Sequence, residues 1–117
     1  MKVSLTSFGL PRNGVESEDS FAVKSWDETV IAVLADGTGA ARRGKEASAR
    51  IVESLVSNYA ARPASWSPQK ALTEFTRLIN HTLHHESLLH DRSTEMVSTL
   101  SVAVIEGNWL YGLNVGD

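Results

Sequence analysis

Cysteine is absent from this sequence of 117 residues. Its absence excludes a disulfide framework, a thiol nucleophile and a thiolate ligand for a metal ion. Because chains without disulfides are typical of reducing compartments, we predict a cytoplasmic location. Long apolar runs are absent as well: none approaches the roughly 18 residues that cross a bilayer, and the N-terminus carries no apolar signal core. We therefore expect no membrane partner for this segment.

Positive charge is scarce. The sequence has 11 Lys and Arg against 14 Asp and Glu, which gives a formal net charge of −3. Its densest basic cluster, Arg42-Arg43-Gly44-Lys45, is followed at once by Glu46. Binding to nucleic acid phosphates requires a basic surface, so we expect no nucleic-acid partner. With 42% hydrophobic residues, the composition fits one ordinary globular domain or part of a larger one.

Two β-rich runs, residues 20–26 and 29–34, are separated by Asp27-Glu28. A two-residue break of this kind predicts a β-hairpin. The second run is apolar through residue 35, which is typical of a strand covered on both faces. This strand would deliver Asp36 to the rim of the sheet.

Helical spacing begins near Glu46, where apolar residues form a stripe that predicts a first helix ending near Arg62-Pro63. Ser67 followed by Pro68 predicts the start of a second helix, with Ser as the cap. After a polar segment, residues 97–105 and 109–115 predict two further strands.

His81 and His85 are one helical turn apart, as in some zinc sites. They fall opposite the apolar residues of this helix, so we predict a solvent-exposed face instead.

The segment VLADGTGAARRGKE, residues 33–46, is close to three motifs that handle phosphate. A P-loop would end at Lys45, but it requires Ser or Thr next, whose hydroxyl ligates Mg²⁺, and Glu46 stands there. The D-x-D-G-T motif of phosphatases with an aspartyl nucleophile fails because Leu34 occupies the nucleophile's position, and a hydrocarbon cannot attack phosphorus. The third interpretation is a metal-binding Asp36-Gly37 after a strand; a plain turn is its structural alternative.

Residues 36–39 and four other segments occur in the order found in the PPM family, the PP2C-like metal-dependent Ser/Thr phosphatases. They are Glu18-Asp19-Ser20 (similar to N-E-D-S), residues 36–39 (D-G-M-G), 44–48 (G-x-x-A-S), 96–100 (M-G-T-T-L) and 114–117 (the opening of N-V-G-D-S-R). The chain resembles this family along nearly its whole length. The resemblance implies an α/β (α+β) fold, a β-sandwich flanked by antiparallel helices, with residues 1–117 forming the N-terminal part of a single domain.

The resemblance also implies a catalytic site with two Mn²⁺ or Mg²⁺ ions and a weaker third position. Asp36 would bridge the two ions as the catalytic carboxylate, and Gly37 would offer its carbonyl with no Cβ in the way. Glu18 and Asp19 would hold one ion directly or through water, and Asp117 would lie at the third position. Such hard cations prefer oxygen ligands. The implied reaction is hydrolysis of phosphoserine or phosphothreonine in a protein by a metal-bound hydroxide, without a covalent intermediate.

Departures from the family pattern concern the substrate more than the metals. Where the family has a phosphate-binding Arg, five residues before Asp19, this chain has Gly14. Arg12 lies two residues further back and is the candidate phosphate-binding residue. Ala40 replaces the second Gly of D-G-M-G-G. These changes keep open an alternative function, a non-catalytic regulatory or binding module with the PP2C fold.

The sequence stops at Asp117, inside a motif and about half-way through the family's domain. The family's later metal-binding Asp residues, on further D-G and D-N motifs, are not in this chain. We therefore expect the enzyme activity in the complete protein and an inactive chain when residues 1–117 are taken alone. The resemblance also allows a Ser/Thr kinase, fused or separate, as a partner beside the phosphorylated protein substrate.

Overall fold

A computed structural model describes Ser4 and residues 6–11, 17–38, 43–89 and 97–116. The elements in these ranges are β1 (Asp19–Trp26), β2 (Thr29–Thr38), α1 (Arg43–Ala60), α2 (Pro68–Leu89), β3 (Val97–Ser98), β4 (Leu100–Glu106) and β5 (Trp109–Val115). An antiparallel sheet combined with two helices confirms the predicted fold class. The described residues form one sheet, so the second layer of the expected sandwich is not among them.

The sheet has the order β1-β2-β4-β5, and the short β3 pairs with the end of β2. Asp27 and Glu28 form the predicted turn between β1 and β2, and Asp27 has a φ of 49°, a left-handed conformation that Asp tolerates. Gly107 at the turn between β4 and β5 has a φ of 58°, which glycine adopts without steric cost. Thr99 interrupts the strand predicted over 97–105, so β3 and β4 pair with different parts of β2.

Both helices form where the sequence predicts them, although α1 begins three residues earlier than predicted. Ser67 caps α2, because its Oγ accepts a hydrogen bond from the backbone N–H of Lys70 at 3.1 Å. The two helices contact each other through an ion pair between Arg50, in the middle of α1, and Glu86, near the end of α2. Neither of these helices is long and apolar enough to span a membrane.

The core lies between the sheet and the two helices, which cover one face of the sheet. Alternate side chains of β2 and β4 meet the apolar stripes of the helices; the buried set includes Ile31, Val33, Ala35, Ala47, Ile51, Leu55, Tyr59, Leu72, Ile79, Leu83, Leu100, Val102 and Val104. Burying a large apolar side chain contributes about 1.5–3 kcal/mol relative to leaving it exposed. This one-sided core holds the strands that carry the candidate site.

The prediction that β2 is covered on both faces is wrong for the described residues. Successive side chains of a strand point to opposite faces, and Leu34, opposite the helices, is 52% exposed. Its partner on β1, Phe21, is 40% exposed. We call the face that carries Phe21, Ala32, Leu34 and Ala103 the outer face of the sheet. No described helix or strand packs on it, although Gly9, in the segment before β1, lies close to the ring of Phe21.

Candidate metal site

Asp19 and Asp36 face each other across β1 and β2. They are direct partners in the antiparallel register, so their side chains project from the same face of the sheet. The pKa of Asp36 is raised above its ordinary value, first by a hydrogen bond with the Asp19 side chain, then by desolvation and by the negative charges of Asp19 and Glu18. A cation between two such carboxylates relieves their repulsion. The pair is therefore a chemically reasonable place for a positive ion.

The backbone of Asp36 is held from one side by Thr99. The N–H of Asp36 donates a hydrogen bond to Thr99 Oγ1 at 3.2 Å, and the N–H of Thr99 donates to the carbonyl oxygen of Asp36 at 2.9 Å. Asp36 lies within β2, which continues to Thr38, and not beyond the strand's end as predicted. Thr99 did not stand out in the sequence as a site residue. Its place in the segment 96–100, which resembles a family motif, is the sequence signal that could have identified it.

Close packing between β2 and α1 explains why position 37 is a glycine. A Cβ on Gly37 would lie 1.8 Å from the carbonyl oxygen of Gly44, and a Cβ on Gly44 would lie 2.8 Å from backbone atoms of Thr38. The N–H of Gly37 also donates to the carbonyl oxygen of Glu18 at 3.1 Å. We expected glycine at 37 because an ion must approach the backbone. The structure gives a different and sufficient reason, because only glycine fits against the helix.

A chain of hydrogen bonds from α1 holds the segment that carries Glu18 and Asp19. Lys45 Nζ donates to the carbonyl oxygen of Asp19 at 2.8 Å and to Ser20 Oγ at 3.3 Å. The hydroxyls of Ser20 and Ser48 are 2.9 Å apart, and Ser48 Oγ lies 2.6 Å from the carbonyl oxygen of Glu18. Both serines are buried. The G-K-E-A-S segment thus positions the acidic segment, a role its sequence did not reveal.

The remaining predicted site residues are only partly within the described structure. Glu18 is close enough to Asp36 for its charge to raise that residue's pKa. Over residues 17–38, 43–89 and 97–116, no group of three or more Asp, Glu or His side chains is arranged to hold one ion. Arg12, the predicted phosphate-binding residue, and Asp117, the predicted ligand of a third ion, lie outside the described residues. The structure therefore brings together a pair of carboxylates with a third acid nearby.

Two competing interpretations of the sequence find no support in this geometry. A P-loop lysine must reach a bound phosphate. The ammonium group of Lys45 instead donates hydrogen bonds to the backbone carbonyl oxygen of Asp19 and to the hydroxyl of Ser20. The histidines that suggested zinc, His81 and His85, are exposed on α2 as predicted. Neither belongs to a metal-binding group within the described ranges.

The residues that are present fit hard divalent cations. Mg²⁺ keeps several water ligands and is commonly bound through one or two carboxylates together with substrate phosphate, and Mn²⁺ likewise suits carboxylate and carbonyl oxygens. Asp19 and Asp36 supply such carboxylates, and their mutual repulsion favours a cation. The pair provides part of a coordination shell, which further ligands or water would complete.

The chain is similar to known proteins over most of its length. The family model described as protein phosphatase 2C matches residues 11–117. A comparison with curated proteins gives no match. Among solved structures, the chain is similar to the catalytic domain of the serine/threonine protein phosphatase PstP in complex with two manganese ions, with 26% identity and a TM-score of 0.72. That similarity covers 93% of this chain and 44% of PstP.

Two other solved structures share the fold. Serine/threonine phosphatase Stp1 from Staphylococcus aureus is 24% identical with a TM-score of 0.76, covering 88% of this chain and 42% of that one. RsbX in complex with magnesium is 24% identical with a TM-score of 0.67, covering 92% of this chain and 47% of RsbX. The chain thus spans less than half the length of each of these three structures. With the family match over nearly all its residues, the chain belongs to the protein phosphatase 2C family.

Proposed function

We propose that this protein is a metal-dependent phosphoprotein phosphatase that hydrolyses phosphoserine and phosphothreonine. The pairing of Asp19 with Asp36 carries the proposal, because it places two carboxylates together on neighbouring strands of a phosphatase-family fold. We further propose that residues 1–117 are the N-terminal part of a single domain. Activity is then a property of this chain followed by the remainder of a PP2C domain, which we call the full-domain polypeptide.

In this proposal Asp36 would be a ligand of both divalent cations, Mn²⁺ or Mg²⁺, and Asp19 would hold one of them with Glu18. Gly37 offers its carbonyl oxygen. When bound, the two cations would supply an activated water at neutral pH and neutralise the phosphoryl oxygens of the substrate. Support for this metal choice comes from the manganese in the PstP structure and the magnesium in the RsbX structure. The roles of Asp117 and Arg12 remain predictions.

The chain's own contribution is to hold the carboxylates in place before substrate arrives. Thr99 fixes the backbone of Asp36, and the carbonyl of Glu18 accepts the N–H of Gly37. A charge arrangement that is already fixed needs little reorganisation during the reaction, which is a main source of electrostatic catalysis. The carboxylate of Asp36 acts in this scheme as a ligand and not as a nucleophile.

The test compares two Asp→Asn variants of the full-domain polypeptide on a phosphothreonine peptide in Mn²⁺. Asp36→Asn should reduce kcat/KM by at least about 100-fold, the upper end of the loss caused by changing a residue that only supports a ligand. Asp27→Asn is the matched control, because Asp27 lies at the opposite end of the same hairpin in a left-handed conformation that Asn also adopts. Its activity should be unchanged.

Equal activity of Asp36→Asn and Asp27→Asn would contradict the assignment of Asp36. A full-domain polypeptide that binds Mn²⁺ but hydrolyses no phosphomonoester would contradict the enzymatic function and support the non-catalytic alternative. The cytoplasmic location and a Ser/Thr kinase partner, fused or separate, remain predictions that fractionation and co-purification would check.

A further inference from the structure

Lys45 is placed unusually for a lysine near a surface. Lysine side chains mostly extend along apolar surface and leave the ammonium group in water. Lys45, in the first turn of α1, is instead partly buried and turns its ammonium group onto β1. It donates to the carbonyl oxygen of Asp19 at 2.8 Å and to Ser20 Oγ at 3.3 Å.

The backbone that Lys45 contacts is at the end of a strand. Asp19 and Asp36 form the last pair in the β1–β2 register. Beyond this pair, the described backbone contact is the hydrogen bond from Gly37 to Glu18. Strand ends open at low free-energy cost unless other contacts hold them. Hydrogen bonds that involve a charged group are stronger than neutral ones, so the ammonium group is an effective clamp here.

We propose that Lys45 is a positioning residue: by clamping the backbone of Asp19 it keeps the Asp19 carboxylate opposite Asp36, ready to hold a divalent cation. This inference rests on the proposed function and deepens it. Lys45 also supports Ser20, whose hydroxyl is linked through Ser48 to the carbonyl oxygen of Glu18. Both acids that precede Ser20 are therefore fixed from α1.

An electrostatic role for Lys45 predicts the opposite result. A positive side chain beside a cation site repels the incoming ion, so its removal should strengthen metal binding if charge were its only effect. A positioning role predicts weaker binding after removal, because a misplaced carboxylate is a poorer ligand. The sign of the change in affinity distinguishes the two roles.

The experiment uses the full-domain polypeptide, uniformly labelled with ¹⁵N, and titrates it with Mn²⁺. Bound Mn²⁺ broadens the amide signals of nearby residues, so the signals of Asp19, Asp36 and Gly37 report occupancy even when binding is weak. Lys45→Met removes the ammonium group and both of its hydrogen bonds but keeps the apolar stem. We expect it to need about tenfold more Mn²⁺ for the same broadening, the lower end of the range for residues that support a ligand.

Two further variants separate positioning from other effects. Lys24→Met makes the same substitution at an exposed position of β1 and should leave the Mn²⁺ titration unchanged. Lys45→Arg keeps a cationic donor and should restore most of the lost affinity. A metal-free measurement is hydrogen exchange of the Gly37 amide, which should be faster in Lys45→Met because its acceptor, Glu18, is less firmly held.

Unchanged or tighter Mn²⁺ binding in Lys45→Met, with unchanged exchange at Gly37, would overturn the inference. So would a loss that Lys45→Arg does not restore and that accompanies a large fall in Tm, since that result indicates a merely structural role. Asp36→Asn separates this inference from the proposed function. If Mn²⁺ broadens no site amide in the wild-type full-domain polypeptide, or broadens them equally in Asp36→Asn, the metal site is wrong. The exchange rate at Gly37 then still decides whether Lys45 positions Asp19.

Discussion

Gly37 of β2 and Gly44 of α1 approach each other so closely that a Cβ on Gly37 would lie 1.8 Å from the carbonyl oxygen of Gly44. The obstacle is backbone, which cannot move aside as a flexible side chain can. This contact sets how closely the first turn of α1 lies to the strand that carries Asp36. It also brings Lys45 and Ser48 within reach of β1.

Gly37→Ala should therefore destabilise the chain by about 3 kcal/mol, at the upper end of the cost of overpacking. Gly112→Ala is the control, because a Cβ there would lie 3.8 Å from the carbonyl oxygen of Val102, an ordinary contact. That variant should be neutral or slightly more stable. Urea unfolding of both variants measures the difference. Equal stabilities would show that β2 and α1 are further apart than described.

Thr99→Val should weaken the site while leaving the core intact. The substitution removes the hydroxyl that accepts the N–H of Asp36 but keeps the shape of the side chain. We expect a loss of about 1 kcal/mol in the free energy of unfolding and weaker Mn²⁺ binding. Thr99→Ser retains the hydroxyl and should bind Mn²⁺ as the wild type does. Similar Mn²⁺ titrations for Val and Ser at this position would contradict the role of the hydroxyl.

The environment of Tyr59 leads us to predict how the free energy of unfolding changes at alkaline pH. Its hydroxyl donates to Glu106 Oε1 at 2.9 Å, and Arg62 binds the same oxygen. Burial, followed by the hydrogen bond to Glu106, raises the pKa of Tyr59 well above its ordinary value of about 10. The resulting stabilisation is complete below pH 10 and is lost as the pH rises towards the folded-state pKa.

Tyr59→Phe should accordingly lower the free energy of unfolding at pH 8 by about 1.5 kcal/mol, since a hydrogen bond to a charged group is lost. It should also remove part of the decline in stability between pH 9 and pH 11. Tyr111→Phe, the same substitution at the other tyrosine, is the control and should keep the wild-type slope. The measurement is urea unfolding across this pH range; parallel slopes for all three proteins would refute the account of Tyr59.

Because the outer face of the sheet exposes apolar side chains, we expect the 117-residue chain to self-associate through it. Large exposed apolar patches on proteins commonly mark interaction or aggregation sites. Leu34→Gln should weaken self-association roughly tenfold, because association would bury the exposed half of the Leu34 side chain and the substitution makes that surface polar. Leu78→Gln, at a residue of α2 that is 53% exposed, compared with 52% for Leu34, should have no effect. Sedimentation velocity tests this, and equal effects of the two substitutions would remove any special role of the outer face.

Local chemistry made much of the fold predictable. The break at Asp27-Glu28 predicts the first hairpin, and Ser67-Pro68 predicts the start of α2, because each depends on residues close in sequence. The pairing of Asp19 with Asp36 depends on strand register over 17 positions. The resemblance named both residues, but only the structure shows that they are direct partners.

The supporting contacts could not be predicted, for a physical reason. Thr99 reaches Asp36 across 63 positions of sequence, and Lys45 reaches Asp19 across 26. Both residues lie in segments that resemble family motifs, 44–48 and 96–100, but nothing local assigns either side chain to the residue that it contacts. The bare outer face was also missed, because an apolar run such as that of β2 predicts burial but does not identify the element that covers it.

The central claim is that Asp19 and Asp36 hold a divalent cation, and anomalous diffraction at the manganese absorption edge tests it most directly. Crystals of the full-domain polypeptide grown with Mn²⁺ should show an anomalous peak in direct contact with the carboxylate of Asp36 and beside that of Asp19. The expected Mn–O distance is about 2.1 Å, similar to that of other small octahedral cations. Crystals of Asp36→Asn should lose the peak. Ordered Mn²⁺ bound elsewhere in the domain, with none at Asp36, would contradict the account.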